Sequence, residues 1–333
     1  LAVVGGAVLD FSAKPFERKR FGEFGTVGTS VPGRMSTSMG GVGRTIAETV
    51  WRLTQDQEVP GQAGEAGWMF ESVLGDDVVG DQVAGACAEL PALLHRASGQ
   101  RTATYTAMLD GTGELVTAVA DMAVFDAWPP LSAAALSSEV LLVDTNVPAR
   151  VIEEASRRCR ELWVEPVSIA KAARLAGCLD RVGLVSPNLD ELRALVEAAG
   201  CTWAPVESGS VDELSRTLPA AVEPLLSAGV RHLLVTCGAA GAVLCSRDGE
   251  AWHGPRGAPE TFAFADPAFT VVRRRWAEGE PRRSFVSYAV PRLEAVESVT
   301  GAGDSLVAAT AWAYGLGRVP LADAVLHGLA AAR

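Results

Sequence analysis

The sequence predicts an α/β fold: a mostly parallel sheet covered by helices on both faces, with a small β-lid at one edge. Three observations predict it. Short apolar runs alternate with helix-compatible segments between residues 140 and 245, the pattern of βα units and a parallel sheet. Two alternating runs, Thr102–Leu109 and Glu114–Ala120, flank Asp110-Gly-Thr-Gly113, which is a hairpin signal. Glycines stand just before predicted helices, at Gly40-Gly41 and at Gly301-Ala-Gly303.

Taken in order, Leu1-Ala-Val-Val4 before Gly5-Gly6 reads as a buried strand entering a turn. Residues 11–40 hold Gly22, Gly25, Gly28 and Gly33 without a long apolar run, and suit an exposed strand pair. Gly41 to Leu53 turns helical, with Ile46, Val50 and Leu53 at helical spacing. Beyond the hairpin, Val140–Val143, Leu162–Val164, Val182–Val185, His232–Thr236 and Gly241–Cys245 are strands. Ala149–Arg160, Asn188–Ala199 and Val211–Ala228 are helices, and the small-residue run Ser305–Gly315 is another. Residues 246–297, with Arg273-Arg-Arg275, Arg282-Arg283 and several prolines, read as a solvated surface insertion. The chain of 333 residues is expected to form one domain, with its lid at about 11–40 and 98–123.

Composition excludes several classes. A net charge of -11 argues against a nucleic-acid or anionic-membrane partner. No apolar run approaches the ~20 residues that span a bilayer. The six cysteines are scattered without a Cys-x-x-Cys pair, so reduced thiols are expected and a zinc site is not. Four histidines give little support to a His-based relay. No signal peptide is visible, so a cytoplasmic location is expected, with organelle targeting left open. The chain opens on Leu1 and stops at Arg333 in a helical run, and so reads as a segment of a longer polypeptide.

The most informative stretch is Ser298-Val-Thr-Gly-Ala-Gly-Asp-Ser305. Glycines let backbone N–H groups approach an anion, and a helix start adds unpaired N–H groups and a positive dipole end. A carboxylate at the same point, Asp304, makes sense if the anion is a phosphoryl group in transfer and the carboxylate takes the acceptor's proton. The alternative is a simple loop with an Asp N-cap. Four further segments leave similar choices open. Asp10 follows the first strand, where ligands of open sheets bind, or it makes an Asx turn. Gly40-Gly-Val-Gly-Arg-Thr45 presents backbone to a ligand or is a tight turn. Asn188 and Glu191 face the strand-end crevice, Glu191 holding Mg²⁺ through water, or they form a capping box. Thr236, Gly238 and Gly241 bind phosphates or shape a hairpin turn.

In this order and spacing, these five motifs resemble the PfkB (ribokinase-like) carbohydrate kinase family over essentially the whole chain. The resemblance implies a three-layer α/β/α sandwich with a mostly parallel central sheet and a small β-lid. Within the family, Gly40-Gly-Val-Gly-Arg-Thr-Ile-Ala47, the hairpin Thr104–Glu114 with Ala120-Asp-Met122, Asp144-Thr-Asn146 and Glu165-Pro-Val-Ser168 with Lys171 are similar to the subgroup that phosphorylates pseudouridine.

That resemblance implies phosphoryl transfer from ATP, with Mg²⁺, to the 5′-hydroxyl of the nucleoside. Asp304 would be the general base, and the N–H groups of Gly301, Ala302 and Gly303 the anion hole. Asp10 and the Gly41 backbone would hold the ribose 2′- and 3′-hydroxyls, with Thr45 beside them. Thr102, Thr104, Asp121 and Asn146 would form the base or ribose rim. Lys171, Asn188, Thr236, Gly238 and Gly241 would serve ATP, and Glu191 a water on Mg²⁺. The 246–297 segment takes a second reading, a role in ATP entry. The resemblance also implies a homodimer through the lid and allows fusion to a glycosidase for the phosphorylated product. Three residues depart from the family. Thr45 stands where Asn is usual, and Glu165 where Asp is usual. Ser298 stands where some members carry an Asp that helps bind a monovalent cation, which puts potassium activation in doubt. These departures keep two alternatives in view: a kinase for another nucleoside or sugar, and a non-catalytic nucleoside-binding domain.

Overall fold

The computed structural model describes residues 1–17, 30–56, 67–207, 210–247, 270–275, 283–290 and 301–332. Ser298, the central part of the 11–40 segment and most of 246–297 lie outside them. β1 (Ala2–Val4) ends at the Gly5-Gly6 turn, and the chain leaves the core as β2 (Val8–Pro15). It returns antiparallel as β3 (Gly33–Gly40) and enters α1 (Val42–Asp56). β4 (Met69–Gly75), α2 (Val78–Ala86) and β5 (Ala92–Ala97) come next. The expected hairpin is β6 (Thr104–Leu109) and β7 (Leu115–Asp121). It pairs with β2, which completes a four-stranded lid of order β3-β2-β6-β7.

From there helices and strands alternate: α3 (Ala133–Ser137), β8 (Leu141–Asp144), α4 (Ala149–Arg158), β9 (Leu162–Glu165), α5 (Ile169–Ala172) and β10 (Val182–Val185). Then follow α6 (Leu189–Ala198), α7 (Val211–Ala228), β11 (His232–Thr236) and β12 (Ala242–Arg247). β13 (Thr270–Arg275), β14 (Arg283–Ala289), α8 (Ala302–Gly315) and α9 (Leu321–Ala331) complete the described chain. The large sheet has ten strands in the order β13-β14-β12-β11-β10-β9-β8-β1-β4-β5. From β11 to β5 every pairing is parallel, and the other three strands add antiparallel at one edge.

The central strands are apolar on both faces because both faces are covered. One face packs on Ile152 of α4, Leu195 of α6 and Leu225 of α7. The other packs on Ile46 of α1, Val307 of α8 and Val325 of α9. This is the expected three-layer α/β/α arrangement. Among the described residues, no helix is long and apolar enough to cross a membrane.

Two expectations are corrected. The 246–297 segment is not simply a solvated insertion: its described residues extend the sheet as β13 and β14, with Phe285, Val286 and Tyr288 buried. Arg283, which reads as a solvated charge, is 5% exposed and donates to Glu223 from Nε (3.2 Å) and Nη2 (3.0 Å). The bidentate pair ties the start of β14, one strand in from the edge, to α7. Asp10, in turn, does not end the first strand. That strand stops at Val4, and Asp10 lies inside β2, in the lid.

Arg283→Ala should therefore cost about 1 kcal/mol, because it strips a charge-assisted pair whose arginine is buried and whose Glu223 is half-exposed. Calorimetric unfolding should show a melting point lower by a few degrees; an unchanged one would return Arg283 to the solvent.

Candidate active site

The site begins where two stretches of backbone meet. Gly41 has φ +93°, and a Cβ there would lie 2.3 Å from the Gly6 carbonyl oxygen. A Cβ at Gly43 would lie 2.5 Å from Gly5. Glycine is required because α1 begins in direct backbone contact with the Gly5-Gly6 turn. The Arg44 N–H donates to the Gly6 carbonyl at 3.1 Å and seals the contact. The Asp10 carboxylate leans over Gly40, where a Cβ would meet its Oδ2 at 2.0 Å. Asp10 and the Gly40-Gly41 backbone are thus brought together at the base of the lid. Burial raises the Asp10 carboxyl from its usual range, and Arg44 opposes that. Thr45 is turned inward: its hydroxyl donates to the Gly41 carbonyl at 3.0 Å.

Behind this contact sits Asp144, the last residue of β8, 1% exposed. Its Oδ2 accepts from the Gly6 and Gly43 N–H groups, both at 2.8 Å, and from Asn146 Nδ2 at 3.2 Å. Its Oδ1 accepts from the Asn146 N–H at 2.8 Å. Asn146 Oδ1 in turn accepts from Lys171 Nζ at 2.5 Å. Lys171 therefore belongs to the Asn146 cluster at the ends of β8 and β9. Burial lowers its ammonium from the usual value, and Asp144 opposes the shift.

The third wall is the start of α8. Gly301 is its N-cap in the left-handed conformation, φ +82°, and the Ser305 N–H closes the first turn on the Gly301 carbonyl at 2.9 Å. By helix geometry, the N–H groups of Ala302, Gly303 and Asp304 point out of the open end. Asp304 is not the cap but lies inside the first turn. A Cβ on Gly301 would lie 3.7 Å from Thr45 Cγ2, so α8 opens beside α1. The Asp304 carboxyl is pushed up to about 7, first by burial and then by the Asp144 and Glu191 carboxylates. Glu165 lies alongside, fully buried, bonded to the Ser186 hydroxyl. Burial, then Asp304, holds Glu165 well above the usual carboxylate range.

Next along the strand ends are Asn188 and Thr236, joined by a parallel bridge, with the Thr236 N–H on the Pro187 carbonyl at 2.9 Å. Asn188 and Glu191 form a reciprocal capping box on α6, at 2.9 and 3.1 Å. Thr236 to Gly241 makes the turn from β11 to β12, closed by the Cys237 N–H on the Gly241 carbonyl at 2.8 Å. Gly241, at φ +97°, packs on the Tyr288 carbonyl, while Gly238 faces open space.

Three expected rim residues stand apart. Thr102 is buried, with its hydroxyl accepting from the Gly75 N–H (2.9 Å) and donating to Asp77 (2.6 Å). It fastens the lid to the core. Thr104 and Asp121 pair across β6 and β7 and align with Leu9, which puts them on the lid face opposite to Asp10. Asp121 is engaged by Arg101 at 2.6 Å. The residues that share Asp10's face are Ser38 and Tyr105, which the sequence reading did not single out. Their signal was available: once the strands are aligned, alternation decides the face. Arg44 was also passed over, though it is 9% exposed and donates to the Met39 carbonyl at 3.3 Å.

The sequence matches the pfkB family carbohydrate kinases over residues 1–261. The chain belongs to that family. A pseudouridine kinase of Arabidopsis thaliana is 28% identical over 99% of this chain and 89% of its own length. A pseudouridine kinase of Escherichia coli K12 is 24% identical over 59% of this chain and 60% of its own. The ribokinase of Thermotoga maritima superposes with a TM-score of 0.67 at 20% identity, over 99% of this chain and 90% of that one. The protein is thus a pfkB sugar or nucleoside kinase with the ribokinase-like fold. In this pfkB kinase the cluster that runs from Asp10 in the lid, past the ends of the central strands, to Asp304 in α8 is the candidate active site.

Loss of the α6 cap in Asn188→Ala should cost about 0.5–2 kcal/mol, and Asn188→Ser, which can still cap, should recover most of it. Thermal unfolding of the two variants checks this; equal losses would remove the cap from the account.

Proposed function

We propose that this chain transfers the γ-phosphoryl group of ATP to the 5′-hydroxyl of pseudouridine. The observation that carries the reading is Asp304 in the first turn of α8, at an open helix end beside Thr45 of α1, one helical turn from Gly41 and next to the Asp10–Gly40 contact. The two relatives named as pseudouridine kinases support the choice of nucleoside. The working unit is one kinase domain, with its lid over the strand ends.

Each group has a physical task. Asp10, with the Gly41 backbone, holds the ribose diol, because a carboxylate accepts from two adjacent hydroxyls at once. Asp304 takes the proton of the 5′-hydroxyl. A carboxyl held near neutrality binds that proton better than an ordinary one. The N–H groups of Gly301, Ala302 and Gly303 meet the charge that develops on the transferred phosphoryl oxygens. Asn188, Thr236 and Gly238 line the ATP side of the strand ends, and Lys171 the Asn146 side.

The local chemistry fits Mg²⁺. Asp304 and Glu191 both raise the Glu165 carboxyl, and Glu191 raises that of Asp304, so acidic oxygen donors gather here. Among the described residues, no three His, Cys, Asp or Glu side chains form a metal cage; in this reading Glu191 acts through a water on the ion. When bound, the ion neutralises phosphate charge. A kinase for another nucleoside or sugar is the second reading. Thr45 favours it, because its hydroxyl is committed to Gly41.

We also propose a homodimer through the lid. Met35 (72% exposed), Met108 (48%) and Val119 (67%) share the lid face opposite to Asp10. Light scattering should give twice the chain mass, and Met35→Glu should halve it; a monomeric wild type defeats this.

Assayed for ATP consumption, pseudouridine should exceed uridine, adenosine and ribose, and no turnover above ribose would refute the substrate. Asp304→Ala should lower kcat by a factor on the order of 10² or more. Because Asp304 works deprotonated and its carboxyl is pushed up to about 7, kcat/KM should fall as pH drops below that value. A flat profile from pH 5 to pH 8 would, by the same linkage of charge to rate, remove Asp304 as the base.

A further inference from the structure

Both strands on the Asp10 side of the lid are tied to the core at one point. The Gly5-Gly6 turn leads out into β2, and the start of α1 leads in from β3. The N–H groups of Gly6 and Gly43, one from each crossing, converge on the same oxygen, Asp144 Oδ2. The remaining contacts of that carboxylate are with Asn146, whose amide is thereby oriented, Nδ2 toward Asp144 and Oδ1 toward Lys171. All four partners are donors, a set that suits an ionised carboxylate and no other side chain of this size. Asp144 is too deeply buried, and too fully engaged, to touch a substrate itself.

We infer that Asp144 is a positioning residue for the acceptor: its carboxylate sets the height of the Gly40–Gly43 backbone against Asp10 and the orientation of Asn146. This rests on the proposed kinase reading, in which the acceptor's hydroxyls lie on Asp10 and Gly41. Of the residues assigned to ATP, Asp144 contacts none of Asn188, Thr236, Gly238 and Gly241 and reaches Lys171 only through Asn146. Loss of the clamp therefore acts on one substrate more than the other. An asparagine in its place offers one acceptor and turns an NH₂ toward donors, so it cannot hold both crossings.

The test uses Asp144→Asn in the full chain, with whichever acceptor the wild type turns over best. The KM for the acceptor should rise at least about tenfold and the KM for ATP by less than about threefold, the scale of one lost set of buried hydrogen bonds. Hydrogen exchange should accelerate in peptides holding Gly6 and Gly43, with the rest of the sheet unchanged. Equal rises in both KM values with uniformly faster exchange would mean a general stabilising role and overturn the proposal. So would unchanged KM values with unchanged exchange. If the variant does not fold, exchange in the wild type decides: the Gly6 and Gly43 amides should be among the most protected, and ready exchange at either overturns the clamp. A wild type that phosphorylates no acceptor would sink the kinase reading, while exchange at Gly6 and Gly43 would still judge the clamp.

Discussion

Asp144 carries a carboxylate into the middle of a ten-stranded sheet and meets it with four N–H donors rather than a cation. A buried charge without partners would cost several kcal/mol. Here the donors replace the lost water, although burial still raises the carboxyl from its usual range. The arrangement works only because Gly5, Gly6, Gly41 and Gly43 let two backbones close on each other. Any Cβ at Gly41 or Gly43 would push α1 away and pull the Gly43 N–H off the carboxylate. The glycines and the buried acid are therefore one device. Apolar packing positions helices to within a side chain's slack, whereas hydrogen bonds to one oxygen fix direction as well as distance.

The same neighbourhood is held against electrostatic cost. Asp304, Glu165, Glu191 and Asp144 crowd one end of the sheet, where Asp144 and Glu191 raise the carboxyls of both Asp304 and Glu165. The positive end of α8 offsets part of this. Its first-turn N–H groups are directed outward from the helix, so a bound anion can use them in full. Sites organised this way are stable enough because the surrounding core is large: both sheet faces are sealed by helices. They become more stable when ligand charges balance their own.

Much of the α/β core was legible because local and global signals agree there. Val182–Val185, Val211–Ala228 and His232–Thr236 fold within the bounds their periodicity predicts. The lid hairpin was legible from alternation around Asp110-Gly-Thr-Gly113, where Asp110 Oδ1 accepts from the Thr112 and Gly113 N–H groups. What escaped was set by distant partners. β14 sits in a stretch rich in arginine and proline, and its burial depends on β12 and on Glu223, sixty residues upstream of Arg283. The lid faces of Thr104 and Asp121 depend on register with β2, which no local pattern encodes. Asp144 was visible only within the Asp144-Thr-Asn146 resemblance, because its four donors come from three parts of the chain.

The motifs also show why structural and chemical readings of a short segment need not compete. The Asn188–Glu191 capping box is real, and so is the hairpin turn at Thr236–Gly241. Both occur at the carboxyl ends of parallel strands, where helices begin with their N–H groups facing a common crevice. A cap that satisfies some of those groups also fixes the angle at which the others face outward. Gly238 shows the division within a single turn. Gly241 must be glycine to clear the Tyr288 carbonyl, while Gly238 meets nothing within 4 Å and keeps its backbone open. Asp304 makes the same point from the other side. At the cap position its carboxylate would close α8's own N–H groups; inside the turn, with Gly301 as the cap, it leaves them open. A shift of three residues between cap and acid therefore decides whether that helix end is finished or available.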